Sequence, residues 1–341
     1  SNAGEYTCDG IECGCGRGDG MQRMRKYIGS REAIIAVLIM AIAVGISAVN
    51  PTFAAWSNIQ DILMNVSYIT IAALGMTIII ITGGIDTSSG ACLALLSLVC
   101  GQLAKSGLPV IAYFVITVLI GMVLSALSGV IIVKLNVPSM ICTLCLYNIF
   151  RGGILVVTGG KWITGLPDTF NVIGKGTTFG VPNSIVIMII VLIVVVLFLV
   201  RTELGRNIYA VGSNASAARL AGINVNRTII AAWAISGMLL GIASIVYCTR
   251  YTTIQTNVGE NLHLTLIAAS VIGGTNILGG SGKPMGTFFG ALLLTIIRTA
   301  LLFLKVSTYW DQAVQGALIL VAILIGMLHI HRRTGKGGVK I

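Results

Sequence analysis

Runs of nearly twenty consecutive apolar residues recur along this chain, and they constrain what it can fold into more than any other feature. SIVIMIIVLIVVVLFLV, residues 184–200, is the plainest of them. The hydrocarbon core of a bilayer is about 30 Å thick, which about 20 helical residues cross. Backbone in lipid must satisfy its own hydrogen bonds, so such runs read as helices. Ten spans follow, near 33–49, 59–81, 88–104, 109–133, 138–157, 183–200, 228–248, 261–278, 284–304 and 310–329. The composition agrees. Only 10% of the 341 residues are charged, against about 25% in an ordinary soluble domain. The expected fold is an all-α polytopic membrane protein with about ten transmembrane helices.

An even number of crossings puts both termini on one side. That side collects fourteen basic residues: Arg23, Arg25, Lys26, Arg31, Lys134, Arg201, Arg206, Arg219, Arg227, Lys283, Arg332, Arg333, Lys336 and Lys340. The other has five: Lys105, Lys161, Lys175, Arg250 and Lys305. By the positive-inside rule both termini and the 201–227 loop are cytoplasmic. The formal net charge of +11 is therefore mainly a topology signal. Scattered over short loops and tails, it is not a nucleic-acid footprint.

Residues 1–20, SNAGEYTCDGIECGCGRGDG, have no apolar run and resemble a cloning scar or disordered segment; the membrane domain is 21–341. Cys8, Cys13 and Cys15 lack a fourth ligand and a nearby histidine, so they are not read as a metal site. Cys92, Cys100, Cys142, Cys145 and Cys248 fall in or beside apolar helices, where small packing residues are expected.

Asp86, in TIIIITGGIDTSSGACLALL, is the charge singled out at membrane depth. Gly83 and Gly84 end one helix, and Thr87 or Ser88 can cap the next. Two readings stand: a functional intramembrane carboxylate, or a cap at the cytoplasmic interface. A similar glycine pair recurs at Gly273–Asn276 and hints at two related halves. Gly237 and Gly241, and Gly282, Gly286 and Gly290, repeat every four residues and so share a helix face. That spacing suits helix packing within the subunit or a subunit interface. His263 reads as a hydrogen-bonding residue near the outer end of a span. No HExxH, GxSxG or paired Cys/His set is present, so no metal chemistry or hydrolysis is indicated.

The segment RTELGRNIYAVGSNASAARLAGINVNR, residues 201–227, interrupts the apolar pattern. From Ser213 it reads as a short helix, with Ser213 or Asn214 as N-cap and Gly222 just past its end. Ala215, Ala217, Ala218 and Ala221 leave a shallow knob with Arg219 beside it. Such a knob suits the groove of a soluble partner; an amphipathic loop lying on headgroups is the alternative.

Several long motifs together resemble the permease subunits of ATP-binding-cassette (ABC) importers of the ribose type, which also include xylose, galactose and autoinducer-2 permeases. They are NPTFAAWSNIQDIL from Asn50, ALGMTIIIITGGIDTSSG from Ala73, NVPSMICTL from Asn136, RGGILVVTGG from Arg151, LGRNIYAVGSNASAARLAGINV from Leu204 and LIAASVIGGTNILGGSGKPMGTFFGALL from Leu266. They cover roughly residues 50 to 325. The resemblance implies a type II-like permease of two pseudo-symmetric halves in the bacterial inner membrane, with 213–222 as the coupling helix. It also implies an ABC ATPase that uses ATP and Mg, a substrate-binding protein outside, and a second permease copy or related chain. Family members usually read GGIDLSVG where this chain has GGIDTSSG, and often an acidic residue where His263 stands, which leaves the particular sugar open.

The ATPase is expected to be a separate chain, because SGKP, TGKG and IGKG lack both the flanking spacing and the hydroxyl residue of a phosphate-binding loop. The permease itself is expected to bind no cofactor and to do no covalent chemistry. For ATPase coupling the candidates are Glu203, Gly205, Arg206, Asn214, Ala217, Ala218, Arg219 and Gly222. For the translocation path they are Asn65, Asp86, Thr87, Ser88 and Asn276. An ion-coupled secondary transporter of a small polar solute is the rival reading, and a membrane scaffold a third.

Overall fold

The computed structural model describes residues 31–304 apart from 172, 173, 175 and 179, and beyond them 310, 312–317 and 320. The helices with full bounds are α1 (Arg31–Val49), α2 (Trp56–Ile81), α3 (Ser89–Lys105), α4 (Val110–Leu135), α5 (Ser139–Thr158), α6 (Asn183–Arg201), α7 (Glu203–Ser213), α8 (Ala215–Leu220), α9 (Val225–Cys248), α10 (Leu262–Ile272) and α11 (Pro284–Phe303). A two-residue ribbon pairs β1 (Thr177–Thr178) with β2 (Val181–Pro182). Seven of the described helices are long and apolar enough to cross a membrane. Eight of the ten expected spans coincide with helices, and a ninth, 261–278, is helical only in part. Part of the tenth lies outside the described residues, although 312–317 are helical. Residues 1–20 also lie outside them.

Glycine and proline set the ends. The α2 helix stops where Gly83 takes φ +86°. Gly83 N–H donates to Ile80 O at 2.9 Å and Gly84 N–H to Ile79 O at 3.1 Å, a paired closure that uses up the last carbonyls. Prolines stand at or just before the first residues of α4, α5, α6 and α11, where a missing N–H costs nothing.

The centre is built from α2 and α9, which pack on each other. Residues 66–81 of α2 are buried without a gap. The α2 helix packs on α10 and α11 of the second half, while α9 packs on α3 and α4 of the first. Each half thus lends its central helix to the other. Ile34, Val37, Ile111, Val156 and Val194 on α1, α4, α5 and α6 are exposed and face lipid.

Both glycine series pack inside the chain. A Cβ on Gly237 would overlap the Gly121 carbonyl of α4, and one on Gly241 would lie 2.7 Å from Val118 Cα. Gly286 lies against Gly273, and Gly290 against Ala269, so the same device seats α11 on α10. A hydroxyl cluster adds to this seam: Thr77 Oγ1 is 2.7 Å from Thr287 Oγ1 and 3.0 Å from Ser270 Oγ.

The expected span 261–278 is corrected. Its helix, α10, runs only from Leu262 to Ile272, about 16 Å at 1.5 Å per residue. The apolar content of GGTNIL extends the hydropathy signal, but Gly274 at φ +96° ends the helix. The helix is about half as long as a hydrocarbon core about 30 Å thick, and the irregular segment 249–261 leads into α10. Such backbone is tolerated there only where protein covers it or a cavity is lined. Protein does cover part of it: a Cβ on Gly90, in the first turn of α3, would overlap the Gly259 carbonyl and lie 3.4 Å from His263 N. Two short helices therefore begin against each other inside the fold.

Loop contacts define two faces. On one, Ile81, Gly212, Ser213 and Gly280 meet, and Lys283 reaches Glu32 at 2.9 Å. On the other, Ile163 and Ile254 exchange backbone hydrogen bonds, and Lys105 Nζ donates to Thr164 O. The first face carries Lys134, Arg201, Arg206, Arg219, Arg227 and Lys283, and is the cytoplasmic one.

Candidate functional site

The 201–227 segment holds two helices, and only the second was expected. Thr202 turns the chain out of α6: its Oγ1 donates to Phe198 O at 2.7 Å and accepts from Gly205 N–H at 3.0 Å, capping α7. Gly205 is buried in that corner, where a Cβ would sit 2.6 Å from Leu199 O. Its lack of a side chain lets the bend close against Phe198 and Leu199. Glu203 and Arg206 are exposed, and Arg206 folds back onto the Arg201 carbonyl. Ser213, expected as an N-cap, is the last residue of α7.

Asn214 caps α8, its Oδ1 accepting from Ala217 N–H at 2.9 Å. Gly222 at φ +84° ends it. Asn224 then caps α9 by accepting from Arg227 N–H at 3.0 Å. Between these caps Ala218 is 5% exposed and packs with Val211 and Val225. Its expected place on the docking surface is corrected: it faces inward and holds α8 on the body. Ala217 and Arg219 are exposed. Leu220, which composition alone did not single out, is 92% exposed.

The end of α7 is wired into the membrane core. Gly212 lies against the Ile81 carbonyl so closely that a Cβ there would overlap it. Gly280 N–H donates to the same Ile81 O at 2.9 Å. Tyr209 Oη donates to Gly282 O at 2.9 Å, and Ser213 Oγ lies 3.4 Å from Gly280 O. The glycine pairs at 83–84 and 273–274 belong to connections that meet at this junction. Asn276 belongs here too. Its Oδ1 accepts from Leu278 N–H at 3.2 Å and its Nδ2 donates to Gly279 O at 3.0 Å. It closes the cytoplasmic loop and does not share a site with Asn65.

Asp86 is buried and bonded locally. Its Oδ1 accepts from Ser88 N–H at 2.8 Å and Ser88 Oγ at 2.6 Å, just before α3. Thr87 N–H donates to Thr143 Oγ1 at 3.1 Å, and Ile85 N–H to Ser139 Oγ at 3.1 Å. These bonds pin the loop to α5. Of the expected path group, Asp86, Thr87 and Ser88 come together. Asn65 does not: sixteen residues before the end of α2, it stands about 24 Å away along the helix. There its Oδ1 accepts from Arg250 Nη1 at 2.8 Å, with Asp61 3.5 Å from the same guanidinium.

Two further charges sit within spans and were missed. Arg151 on α5 donates to Thr256 O at 3.1 Å and lies over the Tyr147 ring at 5.7 Å, and that ring meets His263 edge-on. His263 Nδ1 is buried and makes no hydrogen bond within the described residues. Arg298 on α11 lines an outer cavity of about 270 Å³ beside the 255–262 segment. Charges inside spans mark solute paths or pairs, so both arginines were a readable signal.

Comparison with known proteins places this architecture. Residues 58–323 match the family described as branched-chain amino acid transport system / permease component. The ribose import permease protein of Haemophilus influenzae is 38% identical over 304 residues, covering 88% of this chain and 93% of the relative. That of Escherichia coli K12 is 36% identical over 305 residues, 88% and 94%. The autoinducer 2 import system permease protein of Enterobacter sp. strain 638 is 33% identical over 304 residues, 89% and 88%. No solved structure matches. The chain belongs to this permease family. It is an inner-membrane transport subunit of ABC type, not an enzyme, and works with an ATPase and a substrate-binding protein.

Proposed function

We propose that this permease passes a monosaccharide of the ribose type from an external binding protein into the cytoplasm, by alternating access driven by an ATPase docked on α8. The observation that carries the sugar assignment is the 36–38% identity to ribose import permeases over 88% of the chain. The family description names branched-chain amino acids, so leucine is the natural competitor in any test.

Coupling runs through the junction. Leu220, Ala217 and Arg219 meet the ATPase, with Arg206 and Glu203 at the edge of the contact. Closure of the ATPase on ATP and Mg moves α8. Because α8 is capped at both ends and seated by Ala218, it moves α7 as one piece. The Gly212–Ile81–Gly280 contacts pass that displacement to the cytoplasmic end of α2 and to the loop before α11. A second permease, identical or related, completes the path between the two subunits. Asp86 keeps the α2–α3 connection in shape and carries no ion.

The test is uptake into vesicles holding permease, ATPase and binding protein. Labelled D-ribose should enter only with internal ATP and Mg, unaffected by a protonophore, and leucine should not enter. Ribose uptake that needs a proton or sodium gradient and no ATP would favour the ion-coupled reading. Leucine uptake in place of ribose would move the substrate to the amino acids.

A further inference from the structure

We infer that the outer cavity between α2, α9, α11 and the 255–262 segment is a binding site for a neutral, polyhydroxylated solute, carried by the permease itself. The inference rests on the sugar-import reading and assigns part of the solute contact to this chain. The cavity holds about 270 Å³, room for about nine waters at roughly 30 Å³ each, or for one solute of similar size.

The lining selects the chemistry. Five amides face it: Gln255, Asn257, Asn261, Gln312 and Gln315. Each amide presents both a carbonyl acceptor and an NH2 donor, and a hydroxyl is likewise both. A row of amides therefore suits a row of hydroxyls, whereas an anion wants donors alone and a metal ion acceptors alone. The two charged lining groups, Glu260 and Arg298, sum to zero and give no preference for a solute of net charge; a zwitterion is the rival they leave, and leucine tests it. The apolar side is supplied by Tyr68 and Tyr247, whose rings meet edge-on at 5.0 Å, a surface for the C–H face of a sugar.

The floor is ordered before any solute arrives. Gln315 Nε2 donates to Thr265 Oγ1 at 2.6 Å, and both residues are buried. This bond ties residues 312–317 to α10 and leaves the Gln315 carbonyl for a solute. The 255–262 segment is held from behind, by the Arg151 bond to Thr256 O and the seat of Gly259 on Gly90. Irregular backbone at this depth is thereby accounted for, since it lines a wet cavity. Asn257 and Gln312 are exposed toward the opening, where they can be changed without disturbing the core.

The experiment is saturation-transfer NMR on the full chain in nanodiscs, without binding protein, using D-ribose as probe and ribose 5-phosphate and leucine as comparisons. Ribose should give a saturable signal, and the anionic ribose 5-phosphate and the zwitterionic leucine, the charged probes, none. Asn257→Leu and Gln312→Leu should each weaken ribose binding about fivefold, the loss of about one hydrogen bond. Gln102→Leu, outside the cavity, should leave the signal unchanged. Equal binding by wild type and both cavity variants, or equal signals from the charged probes, overturns the site. So does the absence of any ribose signal from wild type. In that last case vesicles with ATPase and binding protein separate the two ideas: if they still import ribose, only the site falls, and if they do not, the sugar-import reading falls with it.

Discussion

Gly212→Ala places one methyl group at the junction between the cytoplasmic helices and the membrane core. That methyl would overlap the Ile81 carbonyl and lie 2.7 Å from Gly280 N. Neither neighbour can yield cheaply, because both are backbone and bonded to each other at 2.9 Å. Overpacking of this kind costs about 1–3 kcal/mol. Withdrawal of α7 relieves it only by giving up the Tyr209–Gly282 hydrogen bond, and displacement of the loop instead breaks the Gly280–Ile81 bond, each worth about 1 kcal/mol net. The expected penalty is about 2–3 kcal/mol, localised at the junction. Hydrogen exchange at the Gly280 amide should accelerate about 30- to 150-fold, at about 1.4 kcal/mol per factor of ten. The ATPase should still co-purify, because α8 keeps its outer surface, while ATP-driven ribose uptake falls at least tenfold. Wild-type uptake together with unchanged exchange at Gly280 would refute the idea that force passes through this contact.

Other substitutions separate the roles assigned above. Asp86→Asn keeps an oxygen for Ser88 and should retain most uptake, whereas Asp86→Ala should lose protein stability in a melting assay; a folded Asn variant without transport would make the charge itself functional. Ala218→Glu forces a carboxylate between Val211 and Val225 and should lower folded yield by a cost of several kcal/mol, while exposed Ala217→Glu should fold normally and lose only ATPase binding. Arg250→Ala should destabilise more than Asp61→Asn in thermal melts, because the guanidinium is 10% exposed and Asp61 63%, and exposed partners contribute under about 1 kcal/mol. Thr77→Val should cost about 0.6 kcal/mol, the usual worth of a hydroxyl contact between membrane helices.

The membrane architecture was legible because lipid makes it so. Long apolar runs have few alternatives to a helix, and Gly83 or Pro109 mark ends by backbone geometry alone. Hydropathy misled at 261–278, where apolar residues continue past a glycine that stops the helix. The caps of α8 were readable from Asn214 and Gly222. The α7 helix was legible too, since Leu204, Ile208 and Val211 recur at i, i+4 and i+7, but its polar residues and short length set it outside a reading built on long apolar runs. The inward turn of Ala218 and the exposure of Leu220 depend on how α8 rolls over Val211 and Val225, a tertiary fact that no local pattern encodes. Asn65 and Asp86 look alike as polar residues near membrane helices, and only the fold shows that they belong to opposite ends of α2. Arg151 and Arg298 were visible as charges inside spans and were passed over in favour of Asp86.

The most direct test of the account is the affinity of the ATPase for the permease in nanodiscs, with and without Leu220→Glu. Leu220 is 92% exposed, and burying such a side chain at an interface contributes about 1.5–3 kcal/mol. The account therefore expects Kd to rise about 10- to 150-fold while the melting temperature stays unchanged. An unchanged Kd would contradict it, and α8 would then not be where the ATPase docks.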